Sequence, residues 1–307
     1  MPNKYLVTGA GPIGCTVALT LANQGHNVTL ASRSGNGPEH RGIKKIRADA
    51  LQPTQLDAAV DGANAVFHCI HAAYSAKAWA QTLPVAEEAI LALAGKHGIP
   101  VIFPESLYSY SKPGEVMRED SPRNATGGKR GIRTALLHAR AASDTNTVSV
   151  VASDYYGPYA QMVHAGTRML EAVHSGRRLV AVGNPIVPHS FTFLPDLAAA
   201  MIRAALREDL WNNVLHAPTA PPASQQAMLE AFAEAAGRPA PKISGISGHL
   251  LRAAGLVHPA TRELAEMAYQ FDKPFAMNSA HSQALLGLSP TLLAEGARRT
   301  VEWWRKS

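Results

Sequence analysis

The chain has 307 residues, 46% of them hydrophobic and 17% charged, with a formal net charge of +6. That apolar fraction and modest charge exclude a mainly disordered chain and supply enough core for one large domain or two ordinary ones. No apolar run approaches the roughly 18–20 residues of a membrane span, and the scattered basic residues form no nucleic-acid stripe.

Through the first half, short β-rich runs alternate with longer amphipathic ones, the pattern of βαβ units and a parallel sheet. The spacing predicts strands at 4–8, 27–31, 43–47, 65–70, 100–103 and 147–152. Helices are predicted between them at 13–23, 54–60, 85–97 and 132–142. The first strand runs straight into a Gly-rich loop, unlike a secretory signal. After Gly157-Pro158 the pattern turns mostly helical, with helices expected at 160–175, 195–207, 225–236 and 291–304. The run 213–216 offers a strand that returns to the main sheet. The expected architecture is therefore α/β, a doubly wound parallel sheet of Rossmann type with a smaller, mostly helical C-terminal lobe. The Rossmann part takes residues 1–155 with return segments near 188–217, and the substrate lobe takes 156–187 and 218–307.

The two cysteines, Cys15 and Cys69, cannot build a disulfide framework, which makes a reducing cytoplasm the expected compartment. The thirteen histidines show no ligand spacing, so no metal is expected. Neither a GxSxG elbow nor a GxxxxGK[ST] loop occurs. Trp303-Trp304 reads as a packing anchor.

The strongest motif is Gly9-Ala10-Gly11-Pro12-Ile13-Gly14, a GxGxxG placed between a strand and a helix. Gly9 permits the tight turn, Gly11 lets backbone approach a pyrophosphate, and Gly14 allows close helix–strand packing. The helix N-terminus beyond it offers free N–H groups to phosphate. An NAD site usually carries Asp or Glu about 20 residues past the glycines. Here that stretch reads Ser32-Arg33-Ser34, with no carboxylate until Glu39. Ser32 and the planar fork of Arg33 suit a 2′-phosphate, so NADP is the expected cofactor.

With these motifs the chain resembles the extended short-chain dehydrogenase/reductase superfamily, of the NAD-dependent epimerase/dehydratase type. Further matches are Asp49-Ala50, His68-Cys69-Ile70, Glu105 to Tyr110, Asp154 to Pro158 and Phe191 to Ala198. The resemblance implies that Asp49 bonds the adenine amino group, with Ala50 beside it; a turn carboxylate is the alternative. It sets His68, Cys69 and Ile70 along the ribose and phosphates, or in the core. It gives Ser106 the reacting oxygen and Tyr156 the turn beside the nicotinamide. Asp196 reads as a helix N-cap, while His189 and Ser190 are candidates to face substrate.

One departure matters more than these matches. The family's acid/base is a Tyr followed four residues later by a Lys, on one helix face. Aligned there are Lys129 and Arg133, and no tyrosine occurs between Tyr110 and Tyr155. Three readings follow. Lys129 is the proton donor; or Tyr108, Tyr110, Tyr155 or Tyr156 reaches in from a loop; or the dinucleotide binds without turnover. Solvated charges on a helix face remain the plain alternative for Lys129 and Arg133. The expected function is an NADP(H)-dependent oxidoreductase acting on a small polar carbonyl or hydroxyl compound. A non-catalytic NADP(H) sensor and a sugar-nucleotide epimerase are the alternatives. The expected partner is a small-molecule substrate, with neither nucleic acid nor membrane, and a homodimer is left open.

Overall fold

Residues 5–8 are all but sealed from solvent on both faces of their strand, the mark of a parallel sheet covered on two sides. The structure, a computed structural model, describes residues 2–161 and 163–306, apart from the side chains of residues 259 and 260. In chain order it begins β1 Lys4–Thr8, α1 Pro12–Asn23, β2 Asn27–Ser32, β3 Ile43–Arg47, α2 Asp57–Val60 and β4 Ala65–His68. There follow α3 Ala76–Lys96, β5 Val101–Ser106, α4 Gly128–Ala141, β6 Thr147–Ala152 and β7 Asp154–Tyr156. Next come α5 Thr167–Ser175, β8 Leu179–Val182, β9 Phe191–Phe193, α6 Leu194–Ala205, β10 Asn213–His216, α7 Gln225–Ala236 and β11 Ile243–Ile246. The last helices are α8 Gly248–Gly255, α9 Pro259–Met267, α10 Tyr269–Asp272, α11 Ala280–Leu286 and α12 Leu293–Trp304.

The chain divides into two compact units. The first comprises residues 1–109, 123–151 and 197–217, and it holds a seven-stranded parallel sheet ordered β10-β6-β5-β4-β1-β2-β3. Strand order reverses between β1 and β4, where a doubly wound sheet opens a crevice at its carboxyl edge. Leu6, Val66, Val101 and Phe103 pack on that sheet against Leu56, Val60, Ile90 and Ala94.

The second unit comprises residues 110–122, 152–196 and 218–307. Its core joins Tyr156 and Phe193 to Met169, Val173, Met228, Phe232 and Val301. It also carries two short parallel ladders, β7 with β9 and β8 with β11.

Several boundaries differ from the sequence pattern, each for a local reason. The helix expected at 85–97 starts nine residues earlier, because the Ser75 side chain accepts the Ala78 N–H and caps it. Pro84 is tolerated inside α3 because it and Ala80 lie on the exposed face, so water can serve the carbonyl that Pro84 leaves without an N–H. The strand expected to reach residue 70 ends at His68, since β1 turns away at Gly9, which has φ +97°. The helix expected at 160–175 begins only at Thr167. A Cβ on Gly166 would lie 2.3 Å from the Gln161 carbonyl oxygen, so a tight loop precedes that helix. Position 162 lies outside the described residues.

Candidate functional site

The Gly9–Gly14 loop shows why three glycines stand there. A Cβ on Gly9 would meet the Cys69 carbonyl at 2.6 Å, and one on Gly14 would meet the Gly9 carbonyl at 1.8 Å. A Cβ on Gly11 would meet nothing within 4 Å. Packing therefore forbids side chains at the outer two positions, whereas at the middle one only open space is preserved. Gly11 is also the N-cap of α1, with no side chain bonded to the cap and Pro12 at the first helical position. Ile13 and Gly14 begin a helix whose first N–H groups have no partner within it. That is the donor set a pyrophosphate requires.

Around the loop, the other residues singled out from the sequence fall at strand ends. Ser32 closes β2 and donates its hydroxyl to the Asn36 carbonyl at 3.2 Å, while Arg33 beside it is exposed. Asp49 follows β3, and its Oδ1 accepts the Leu51 N–H at 3.0 Å, a turn bond that leaves Oδ2 open. Ala50 is core and Ile70 packs against it. His68 is 4% exposed, with Nδ1 2.9 Å from Thr8 Oγ1. Burial first, and then the Arg140 charge, lowers its pKa to about 3. Burial raises the thiol pKa of both Cys15 and Cys69, and Cys15 donates to the Ala10 carbonyl. Both are free thiols buried beside the loop.

At the end of β5, Glu105 Oε1 accepts the Ser106 N–H at 2.7 Å and the Ser106 hydroxyl at 3.2 Å. Glu105 Oε2 accepts from Arg140, which also forks onto Glu87. Lys129 and Arg133 are not solvated: both are buried on the inner face of α4 with Leu136, Leu137 and Arg140. Arg133 Nε lies 3.6 Å from Glu105 Oε1, and its guanidinium carbon sits 4.8 Å from the centre of the Trp79 ring. Lys129 Nζ lies 4.8 Å from the centre of the Tyr74 ring. Two basic groups thus occupy an aromatic box of Tyr74, Trp79 and Tyr108 next to Ser106.

Sequence reading passed over Tyr74, Trp79, Glu87 and Arg140. A signal existed for two of them. Glu87 continues the apolar stripe of Leu83, Ile90 and Ala94, and Arg140 continues that of Arg133 and Leu136. A charge on a buried stripe calls for a buried partner.

The remaining candidates belong to the second unit. Tyr110 and Tyr156 are each 1% exposed, and Tyr156 packs on Phe193 and Phe232. Burial and Asp196 raise the Tyr156 pKa, and burial and Asp154 raise that of Tyr155 to about 12. His189 Nε2 lies 2.8 Å from Asp154 Oδ2, and its ring stacks on Phe271. Ser190 Oγ accepts the Met277 N–H. Asp196 is not an N-cap: it sits in the first turn of α6, and its carboxylate accepts the Thr291 N–H and hydroxyl. Among the described residues, no group of three or more His, Cys, Asp or Glu has the geometry of a metal site. Nor is any helix among them long and apolar enough to cross a membrane.

Comparison with known proteins places this architecture. A probable UDP-glucuronate 4-epimerase of Rhizobium meliloti (strain 1021) is 25% identical over 335 aligned positions, spanning 98% of this chain and 96% of that one. The dTDP-glucose 4,6-dehydratase of Bacillus anthracis str. Ames, solved in complex with NAD, matches with a TM-score of 0.79 at 16% identity. That match covers 99% of this chain and 97% of the other. The UDP-glucose 4-epimerase of Thermotoga maritima, solved with UDP-glucose, matches with a TM-score of 0.76 at 16% identity over 99% of each chain. At such identity the structures share the fold. The sequence profile of the NAD dependent epimerase/dehydratase family matches residues 5–213, well over half of the chain, from β1 to the start of β10. The chain belongs to the NAD dependent epimerase/dehydratase family.

Proposed function

We propose that this chain binds NADP(H) at the carboxyl edge of its parallel sheet and acts as an oxidoreductase on a small polar carbonyl or hydroxyl compound. The observation that carries the reading is the open space at Gly11, set between two positions where packing forbids a side chain. When bound, the dinucleotide gives or accepts the hydride. Gly11 to Gly14 hold the pyrophosphate, Arg33 and Ser32 the 2′-phosphate, and Asp49 Oδ2 the adenine amino group. Ser106 serves the substrate oxygen. With its proton on Glu105, its lone pairs face an alcohol substrate, and rotation of the hydroxyl presents the proton to a carbonyl. A second reading, a sugar-nucleotide epimerase, is supported by the Rhizobium meliloti relative that spans nearly the whole chain.

Gly11→Ala tests the first step. Gly11 has φ −77° and ψ −177°, an extended conformation that alanine adopts. Thermal stability should fall by about 1 kcal/mol or less, since alanine caps a helix less well than glycine. The new methyl group would occupy the space left for phosphate, so NADP affinity should fall about ten- to a hundredfold, the range of a 1–3 kcal/mol overpacking cost. Unchanged affinity in calorimetric titration would remove the loop from the site.

Arg33→Ala tests the choice of dinucleotide. A hydrogen bond to a charged group contributes about 1.5–3 kcal/mol, so NADP should bind about ten- to a hundredfold more weakly while NAD is nearly unaffected. Equal losses for both cofactors would overturn the 2′-phosphate role. NADPH oxidation should then be screened against aldehydes, ketones and quinones, and UDP-glucuronate assayed for epimerisation. Tight NADP binding without turnover across that screen would replace the enzyme by a dinucleotide sensor.

A further inference from the structure

The family's phenol is missing from α4, yet a phenol stands beside the residue that replaced it. Tyr74 lies in the loop between β4 and α3 and is 41% exposed. Lys129, the second residue of α4, is 0% exposed and directs Nζ at the Tyr74 ring, 4.8 Å from its centre. Tyr108, in the turn Leu107–Ser109 after β5, brings its hydroxyl to 3.4 Å from that of Tyr74. The Tyr108 N–H reaches back to Ser106 Oγ at 3.5 Å. Trp79 backs the group, stacked on Tyr108 at 6.1 Å and edge-on to Tyr74 at 5.8 Å. All of these residues belong to the first unit.

The geometry points to Tyr74 as the proton donor and acceptor of this site, with Lys129 as the cation that holds its phenolate. The inference rests on the oxidoreductase reading above. In reduction, the hydride and its electron pair come from the reduced dinucleotide to the carbonyl carbon. The Tyr74 Oη–H bond breaks, and its proton goes to the carbonyl oxygen. The phenolate left behind has the Lys129 ammonium over its ring and the Tyr108 hydroxyl 3.4 Å from its oxygen, and a nearby cation and a hydrogen bond to the charged form both favour it. Oxidation runs the same proton back. The other tyrosines suit this less well. Tyr110 and Tyr156 are sealed from solvent, and burial holds Tyr155 protonated to about 12. Lys129 itself is fully covered, so its charge acts through Tyr74.

A substrate-free measurement decides the matter. Phenolate absorbance is followed against pH in the wild type, Tyr74→Phe, Tyr108→Phe and Lys129→Met, while NADP affinity is titrated in parallel. One wild-type tyrosine should ionise well before the rest, by more than the roughly 1.2-unit scatter of tyrosines about 10. That early phase should vanish in Tyr74→Phe, and it should move to higher pH in Lys129→Met and Tyr108→Phe. Tyr74 is exposed, so its replacement leaves the fold intact. Superimposable wild-type and Tyr74→Phe curves would overturn the assignment. So would an early phase that is lost with Tyr74 but indifferent to Lys129. Failure of the wild type to bind NADP would instead remove the functional reading, which separates the two outcomes.

Discussion

Arg140→Met should cost the protein about 3–5 kcal/mol of stability, the loss expected when one partner is removed from a buried ion pair. Arg140 links two buried carboxylates, Glu87 and Glu105. Its Nε and one terminal nitrogen fork onto Glu87 at 2.7 and 2.6 Å. The other terminal nitrogen donates to Glu105 at 2.9 Å and to Ser149 at 3.0 Å. Burial works against the guanidinium charge, and Glu87 and Glu105 outweigh it, so the arginine is held charged more firmly than in water. Methionine fills similar volume but leaves both carboxylates buried with less to satisfy them. Urea unfolding of wild type and variant gives the loss. Adding Glu87→Gln to Arg140→Met should recover part of it, because the uncompensated charge is then gone. A variant within about 1 kcal/mol of wild type would show that the network adds little to stability. The consequence reaches the site, since Glu105 also holds Ser106.

That network marks the limit of what the sequence discloses. The six strands of the first half and the return strand at 213–216 are legible because each is a local run of β-formers set off by turns and helices. The phosphate loop is legible because the three glycines that answer its constraints fall within six residues: Gly9 is crowded by Cys69, Gly14 by Gly9, and Gly11 is left open. Short ladders that pair distant segments are not legible. Leu179–Val182 meets Ile243–Ile246 across more than fifty intervening residues, and no pattern in either run names its partner. The same holds for the site. Lys129 and Arg133 look like ordinary helix-surface cations until α4 is docked with its Leu136 face inward, which carries them into the aromatic box. Tyr74 lies more than fifty residues before Lys129, and only packing brings them together.

His68 sets an expected acid limit for the same region. It ends β4 beside Thr8 of β1, at the point where the strand order reverses, with its ring edge-on to Phe103. Burial and the Arg140 charge lower its pKa from 6.5 to about 3. Between those values the unfolded chain takes up a proton that the folded one refuses. The unfolded state therefore binds more protons, and stability must fall as pH drops from 6.5 toward 3. Each unit is worth about 1.4 kcal/mol, so this one histidine should remove ~2 kcal/mol between pH 7 and pH 5. Other histidines with lowered pKa, such as His164, add to the wild-type slope, so the test is a difference. Unfolding free energies of wild type and His68→Gln are measured from pH 5 to 8. The glutamine variant should lose ~2 kcal/mol less on acidification, because it has no proton to accept. Parallel curves would mean that His68 is protonated inside the fold, and the buried Thr8 bond would then have to be reread with the imidazole as an ion beside Arg140.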